Sequence, residues 1–388
     1  MKLKSLPDDF RVVELSSVEA CGGSFALYEL TKQSLGTPEA IQEILKAWNL
    51  PRWKISYGGM KDRHASTRQW LTIHQGPQKD LSGRSFSLHY LGQTEKAFEA
   101  RDIQGNRFHL TLRAIGNSDR TVLEERLQLV QNIGLPNYFD DQRFGSLGHS
   151  RQFIAQPWCL GDYQQALFLA MAEPNSHDRP RESAQKAILR ENWGNWNLCK
   201  ERLDRSHRRS IVTYLVDHPT GFKRALSLVR SDLRSIYVAA FQSGLWNLWL
   251  SKILGKRFAP NISTIDSALG PLTLPKIDES LDESRSWLSS LNLPLPSARQ
   301  QEWPGEWVDL LDEILKDLGM QRREIRLKYP RDTFFSKGLR AAWLQPSEFQ
   351  YHWLEDELHS GKSALQMSFC LPRGSYATMI VKILQLTR

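Results

Sequence analysis

A mixed α/β (α+β) chain with a helix-rich region set into its middle is the architecture this sequence predicts. Three observations carry that expectation. Apolar and polar residues alternate with a period of two in early segments such as Phe108, Leu110 and Leu112 against His109, Thr111 and Arg113. The middle of the chain switches to helical spacing. The end returns to an extended run followed by a short helix. With 388 residues the chain is long for one domain and suggests two, each able to bury a core.

The elements follow in order. Phe10 to Leu15 and Ser24 to Leu30 predict strands rich in apolar and aromatic residues. Thr37-Pro38 has the form of a helix start, with proline preset for the first helical position. Ile41, Ile44, Leu45 and Trp48 then recur on one helical face. Gln69 to His74 reads as a strand. Leu123, Leu127 and Val130 mark a helix ending at Gly134, a good C-terminal residue. From Asp162 to Leu254 the pattern is mainly helical, with Leu233 to Leu254 as one long helix. Pro260 to Pro304 reads as loop-rich, because Pro, Ser and Asp cluster between short apolar runs. Leu310 to Leu318 is amphipathic. Leu365 to Leu371 reads as extended, and a helix follows Gly374-Ser375 with an N-terminus suited to a phosphate.

Composition bounds the function. Hydrophobic residues make up 40 % and charged residues 24 %, an ordinary soluble balance. The net charge of +8 permits a polyanionic partner without requiring one. Four scattered cysteines and ten histidines show no metal-ligand spacing, so neither a metal site nor a disulfide framework is expected, which suits a reducing cytoplasm. The N-terminus lacks the apolar core of a secretory signal, and no apolar run approaches a membrane span. A cytoplasmic protein without membrane contact is the expectation. Gly361-Lys362-Ser363 resembles the end of a phosphate-binding loop, but Asp356 occupies the position of its first glycine.

The most informative stretch runs from Gly59 to Gln69, Gly-Met-Lys-Asp-Arg-His-Ala-Ser-Thr-Arg-Gln. It sets Asp62 between Lys61 and Arg63, and flanking cations favour an ionised carboxylate. Such charge runs are usually solvated faces, so the reading depends on company. Leu135-Pro136-Asn137-Tyr138-Phe139-Asp140-Asp141-Gln142-Arg143-Phe144-Gly145 is a second motif, and Phe369-Cys370-Leu371-Pro372-Arg373-Gly374-Ser375-Tyr376-Ala377-Thr378 a third. A weaker one places Lys32 before Thr37. Together, in this order, they resemble the signatures of the TruD family of tRNA pseudouridine synthases.

That resemblance implies a pseudouridine synthase core with a large, bent, mostly antiparallel sheet, interrupted by a TruD-type helix-rich domain. Residues 1–160 and 336–388 would form the core and 161–335 the insertion. It implies an isomerase acting on tRNA without a cofactor, by default at uridine 13 of the D-stem, and a monomer is expected. Asp62 matches the essential aspartate. Lys32 is expected to pair with it, and Lys61 and Arg63 to contact phosphate or tune it. Phe139 and Phe369 are expected to line the uracil pocket, where flipped bases are held by stacking. Asn137 is expected to organise the site. Two departures stand out: Asp140 replaces a usual glycine, and Met379-Ile380-Val381-Lys382-Ile383 lacks a usual Arg-Glu pair. The competing readings are a non-catalytic RNA-binding protein on the same scaffold and a family enzyme with another RNA target. Lys61-Asp62 and Phe139 argue against the binder, which has no need of a carboxylate beside RNA.

Overall fold

In the computed structural model, which describes residues 1–276, 282–300, 303 and 305–386, the alternating segments assemble into a ten-stranded sheet. Its spatial order is Ser347–Glu355, Ser363–Pro372, Ile103–Ile115, Phe10–Ser16, Ser66–His74, Phe25–Gln33, Phe86–Thr94 and Leu81–Ser82. Lys2–Leu3 pairs with Ile103–Ile115, and Ile55–Tyr57 with Ser66–His74. Every pairing is antiparallel except that of Phe10–Ser16 with Ser66–His74, which is parallel. The strand Phe86–Thr94 extends the sheet through an alternation of Phe86, Leu88 and Tyr90.

The chain divides into two compact units, residues 1–135 with 344–388, and residues 136–343. The first unit is thus built from both chain ends. The expected breaks near 160 and 336 fall inside the second unit. The physical reason is that residues 136–160 pack on that unit's long helix: Phe153 lies so close to Gly244 that a Cβ there would meet its ring at 2.4 Å.

In the first unit the helix Thr37–Ala47 lays Ala40, Ile41 and Ile44 on Ala26, Tyr28, Leu30, Leu71 and Ile73 of the sheet. The helix Arg120–Asn132 stops at Gly134, whose φ of +94° suits a residue without Cβ. The last helix, Ala377–Leu384, is apolar and buried, and Arg126 caps it by donating to the carbonyls of Leu384 and Leu386 at 2.9 and 2.6 Å. Beneath the sheet, the buried guanidinium of Arg113 bonds both carboxylate oxygens of Asp9 at 2.9 and 3.0 Å and lies 3.3 Å from Asp356.

The second unit is helical around a core that includes Trp158, Leu167, Leu189, Trp196, Val212 and Leu226. The helix Ser231–Phe258 runs 28 residues and buries Trp246, Trp249 and Leu250. It extends the expected 233–254 helix at both ends. The 260–304 stretch is more ordered than its loop-rich composition suggests. Ile262–Ile265 pairs with Leu272–Pro275, Asp282–Ser290 is helical, and Asn292–Pro294 pairs with Leu339–Ala341. The part of that expectation on residues 277–281, 301, 302 and 304 lies outside the described residues. The amphipathic helix spans Val308–Asp317. Among the described residues no helix is long and apolar enough to cross a membrane.

Candidate active site

The turn before the strand Ser66–His74 carries Asp62, and the polar groups around it hold its backbone still. Buried Thr37 donates to Gln69 Oε1 at 2.8 Å and accepts from Lys61 N at 3.0 Å. Gln69 in turn donates to the Gly59 carbonyl at 3.1 Å. Lys32 reaches up from the strand Phe25–Gln33 and donates to the Asp62 carbonyl at 2.8 Å. Lys32 therefore contacts the backbone of Asp62, and the expected pairing with its carboxylate is not what the geometry shows. Burial lowers the Lys32 pKa to about 8, although the charges of Asp62 and Glu39 oppose that fall.

The carboxylate of Asp62 has other partners. One oxygen pairs with the ammonium of Lys4, and the other accepts from His64 N at 2.9 Å. Burial pushes the carboxyl pKa up, but Lys4 and the His64 N–H outweigh it and hold the group below its ordinary range. Asp62 is thus ionised near neutrality, with 29 % of its side chain open to solvent. Lys4 itself rests 4.3 Å from the centre of the Phe10 ring, a cation–π distance. The Asp9 carboxylate that binds Arg113 also accepts from Leu6 N at 2.8 Å, which pins the run carrying Lys4. Lys4 is the residue sequence reasoning missed; its place three residues before Pro7-Asp8-Asp9-Phe10 is the only signal.

Lys61 does not point at an open surface. Its ammonium donates to Asn106 Oδ1 at 2.6 Å and lies 2.7 Å from buried Glu14 Oε2, an ion pair without hydrogen-bond alignment. Arg63 pairs with Glu39 in an exposed position. Phe369 is fully buried. It stacks on Phe108 at 5.7 Å and on Phe349 at 5.4 Å between centroids, so both of its faces are occupied by protein. The first unit thus brings together Asp62, Lys32, Lys61 and Arg63, and sets Phe369 in the core of the sheet.

Asn137 and Phe139 belong to the second unit. Asn247, buried on the long helix, accepts from Phe139 N at 2.9 Å and donates to its carbonyl at 2.8 Å. Arg340 lies 3.9 Å over the Phe139 ring and donates to Asn137 O and Oδ1 at 2.7 and 2.8 Å. Asn137 Nδ2 donates to Ala341 O at 2.9 Å. Arg340 therefore ties the two motif residues together. Asp140 follows with φ −78° and ψ 165°, which any L residue adopts, so the backbone here does not require the usual glycine.

Among the described residues no cluster of three or more His, Cys, Asp or Glu side chains is arranged to hold a metal ion. What the first unit offers is a fixed, ionised, partly open carboxylate paired with Lys4. That arrangement suits nucleophilic or electrostatic chemistry at an electron-poor centre.

The model of tRNA pseudouridine synthase D (TruD) matches residues 1–384. A probable tRNA pseudouridine synthase D 2 of Methanocaldococcus jannaschii is 30 % identical, over 98 % of this chain and 91 % of that one. The tRNA pseudouridine synthase D of Aquifex aeolicus is 24 % identical over 98 % and 97 %. A crystal structure from Methanosarcina mazei, named for the same family, superimposes with a TM-score of 0.73 at 22 % identity, over 99 % of this chain and 93 % of that one; at that identity it speaks for the fold. The full-length family match makes the chain a pseudouridine synthase, an isomerase. The chain belongs to the tRNA pseudouridine synthase D (TruD) family.

Proposed function

We propose that this chain isomerises uridine 13 in the D-stem of folded tRNA, with Asp62 as the catalytic carboxylate and no cofactor. The observation that carries the reading is the state of Asp62: ionised, partly open, and mounted on a turn that Lys32, Thr37 and Gln69 hold in place. The reaction breaks the bond from the ribose to uracil N1 and forms one to uracil C5. The C5 proton leaves and N1 gains one, so nothing is oxidised or reduced. A positioned anion beside the sugar stabilises the charge that develops as the first bond breaks. Lys4 both keeps Asp62 ionised and occupies one of its oxygens, so substrate entry shares or displaces that ion pair.

In the second unit, Phe139 and Asn137, both fixed by Arg340, are the candidates for contacting the RNA. Phe369 packs beside Phe108 on the neighbouring strand. Stacking on a base would require it to leave Phe108 or Phe349.

The test uses Asp62→Asn, which removes the charge and nearly keeps the shape. Tritium release from tRNA labelled at uridine C5 is expected to fall on the order of 10²–10⁴-fold, with folding retained and tRNA binding kept or strengthened. Near-normal turnover would overturn the role of Asp62. Mapping pseudouridine in RNA from cells with and without this protein checks the position, and loss at a site other than uridine 13 would reassign the target.

A further inference from the structure

The second unit's basic residues include some that are already paired and some that line a groove. Many already have protein partners. Arg234 makes a bidentate pair with Asp332 at 2.8 and 2.7 Å, Arg208 meets Glu182 at 3.1 Å, and Arg322 meets Asp312 at 2.8 Å. Others line a groove of about 380 Å³ between the segments 297–299 and 325–335. Arg299, Arg326, Lys328 and Arg331 lie along it, and the described residues that line it include no carboxylate. The two acids nearest in sequence are engaged elsewhere. Asp332 is held by Arg234, and Glu324 accepts from Gln321 N at 2.8 Å. At the groove, Phe334 leaves 66 % of its surface in water, whereas its neighbour Phe335 is buried.

The walls are built, not loose. Buried Gln242 of the long helix donates to the carbonyls of Pro296 and Ser336 at 3.0 and 2.8 Å and so joins the two segments. Ala298 N donates to Ile325 O at 2.9 Å, and Trp158 Nε1 to Tyr329 O at 2.9 Å. A rigid concave surface with four cations and an exposed aromatic ring matches the chemistry of an RNA strand. Phosphates supply anions at regular spacing, and an unpaired base supplies a flat face for Phe334.

We infer that this groove is an RNA-binding subsite: Arg299, Arg326, Lys328 and Arg331 take backbone phosphates, and Phe334 stacks on an unpaired base. The inference rests on the proposal that the chain acts on tRNA. It places part of the recognition on the second unit, in residues that take no part in the chemistry at Asp62.

The experiment uses the full chain and a labelled tRNA, with affinity measured by fluorescence anisotropy over a salt series. R326Q/R331Q is expected to weaken binding at least tenfold at low salt. It should also flatten the slope of log K against log salt by roughly 0.7–0.9 for each phosphate that no longer meets a cation. F334A is expected to weaken binding about tenfold and to leave the slope unchanged. Because all three residues are exposed, thermal midpoints should stay within a few degrees, and single-turnover rates at saturating tRNA should match the parent. R181Q, on an exposed arginine already paired with Asp204, serves as a control and should change neither quantity.

Unchanged affinity and slope in R326Q/R331Q and F334A would overturn the subsite and leave Asp62 untouched. A saturating rate that falls with affinity intact would also overturn it, because the groove would then act on chemistry. Should the parent protein fail to modify any tRNA, the same variants are compared for binding a twelve-residue uridine oligonucleotide, so the two readings fail separately. If an acidic protein competes with the parent through this groove and the oligonucleotide does not bind it, the occupant is a protein and the RNA assignment falls.

Discussion

The two motif-bearing turns are held in opposite ways. In the first unit, side chains grip the backbone of the Asp62 turn from below and leave its carboxylate in reach of solvent. In the second, Asn247 and Arg340 hold Phe139 from two sides and leave its ring 7 % exposed. The Asp62 charge, proposed here for the chemistry, is kept partly hydrated, because full burial would raise its pKa and neutralise it. An apolar ring carries no such limit and gains from exclusion of water. The acid turn is therefore expected to be sensitive to charge and pH, and the aromatic turn to packing.

Asp62→Asn, with its expected loss of turnover in a folded protein, is the largest effect on the acid side. The largest effect on packing belongs to Phe369→Ala. Removing a fully buried ring stacked on two others should cost about 3–5 kcal/mol of stability. Denaturant unfolding measures it, and a loss below about 1 kcal/mol would show that the ring is not packed as described. Next comes Asn247→Leu, which removes the two buried hydrogen bonds to Phe139 N and O, at a cost on the order of 1 kcal/mol each. Turnover should fall with it while the pH profile keeps its shape; an altered pH profile would break the contrast.

Lys32→Met sharpens the comparison from the acid side. The Lys32 ammonium, with its pKa lowered to about 8 by burial, is charged below that pH and neutral above it. The turnover profile of the parent should decline as pH rises through about 8, and in Lys32→Met that limb should disappear, leaving lower activity without a break. A limb that persists in the variant would assign it to another group.

The smallest effect concerns acid stability of the first unit. Burial pushes the Asp356 carboxyl up, but hydrogen bonds from Ala114 N and Leu358 N, and the groups of His359 and Arg113, bring it down to about 2. Asp9 and Glu357 face the same arginine. A carboxyl whose folded pKa is depressed stabilises the fold above its unfolded value near 4, and that contribution fades as pH falls through about 2. Asp356→Asn should therefore flatten the dependence of the thermal midpoint on pH between about 4 and 2. An unchanged slope would remove Asp356 from the account.

Local pattern was enough to read much of this molecule. The alternation of Phe108, Leu110 and Leu112 became an interior strand of the sheet, the Thr37-Pro38 start became a helix, and the 233–254 run became the core of a longer one. Periodicity reports which face of an element is buried; Phe108, Leu110 and Leu112 are buried as it predicts, but Thr111 and Arg113 on the opposite face are buried as well, Arg113 by its ion pairs with Asp9 and Asp356. Asp62 also stood out, because two flanking cations are a feature of adjacent residues.

What the sequence left open depends on contacts between distant segments. Lys4 meets Asp62 across 58 positions, Arg340 meets Asn137 across 203, and Lys61 turns inward to Glu14. Phe369 reads as a pocket residue in its motif and is a core residue in the fold, since strand register places it opposite Phe108 and the neighbouring strand brings Phe349 to its other face. The division at 135 and 343 follows packing on the long helix, which composition does not record. A side chain's type and neighbours in sequence determine what it can do, but its partner is chosen by which backbone passes within a few ångströms, and only the assembled fold decides that.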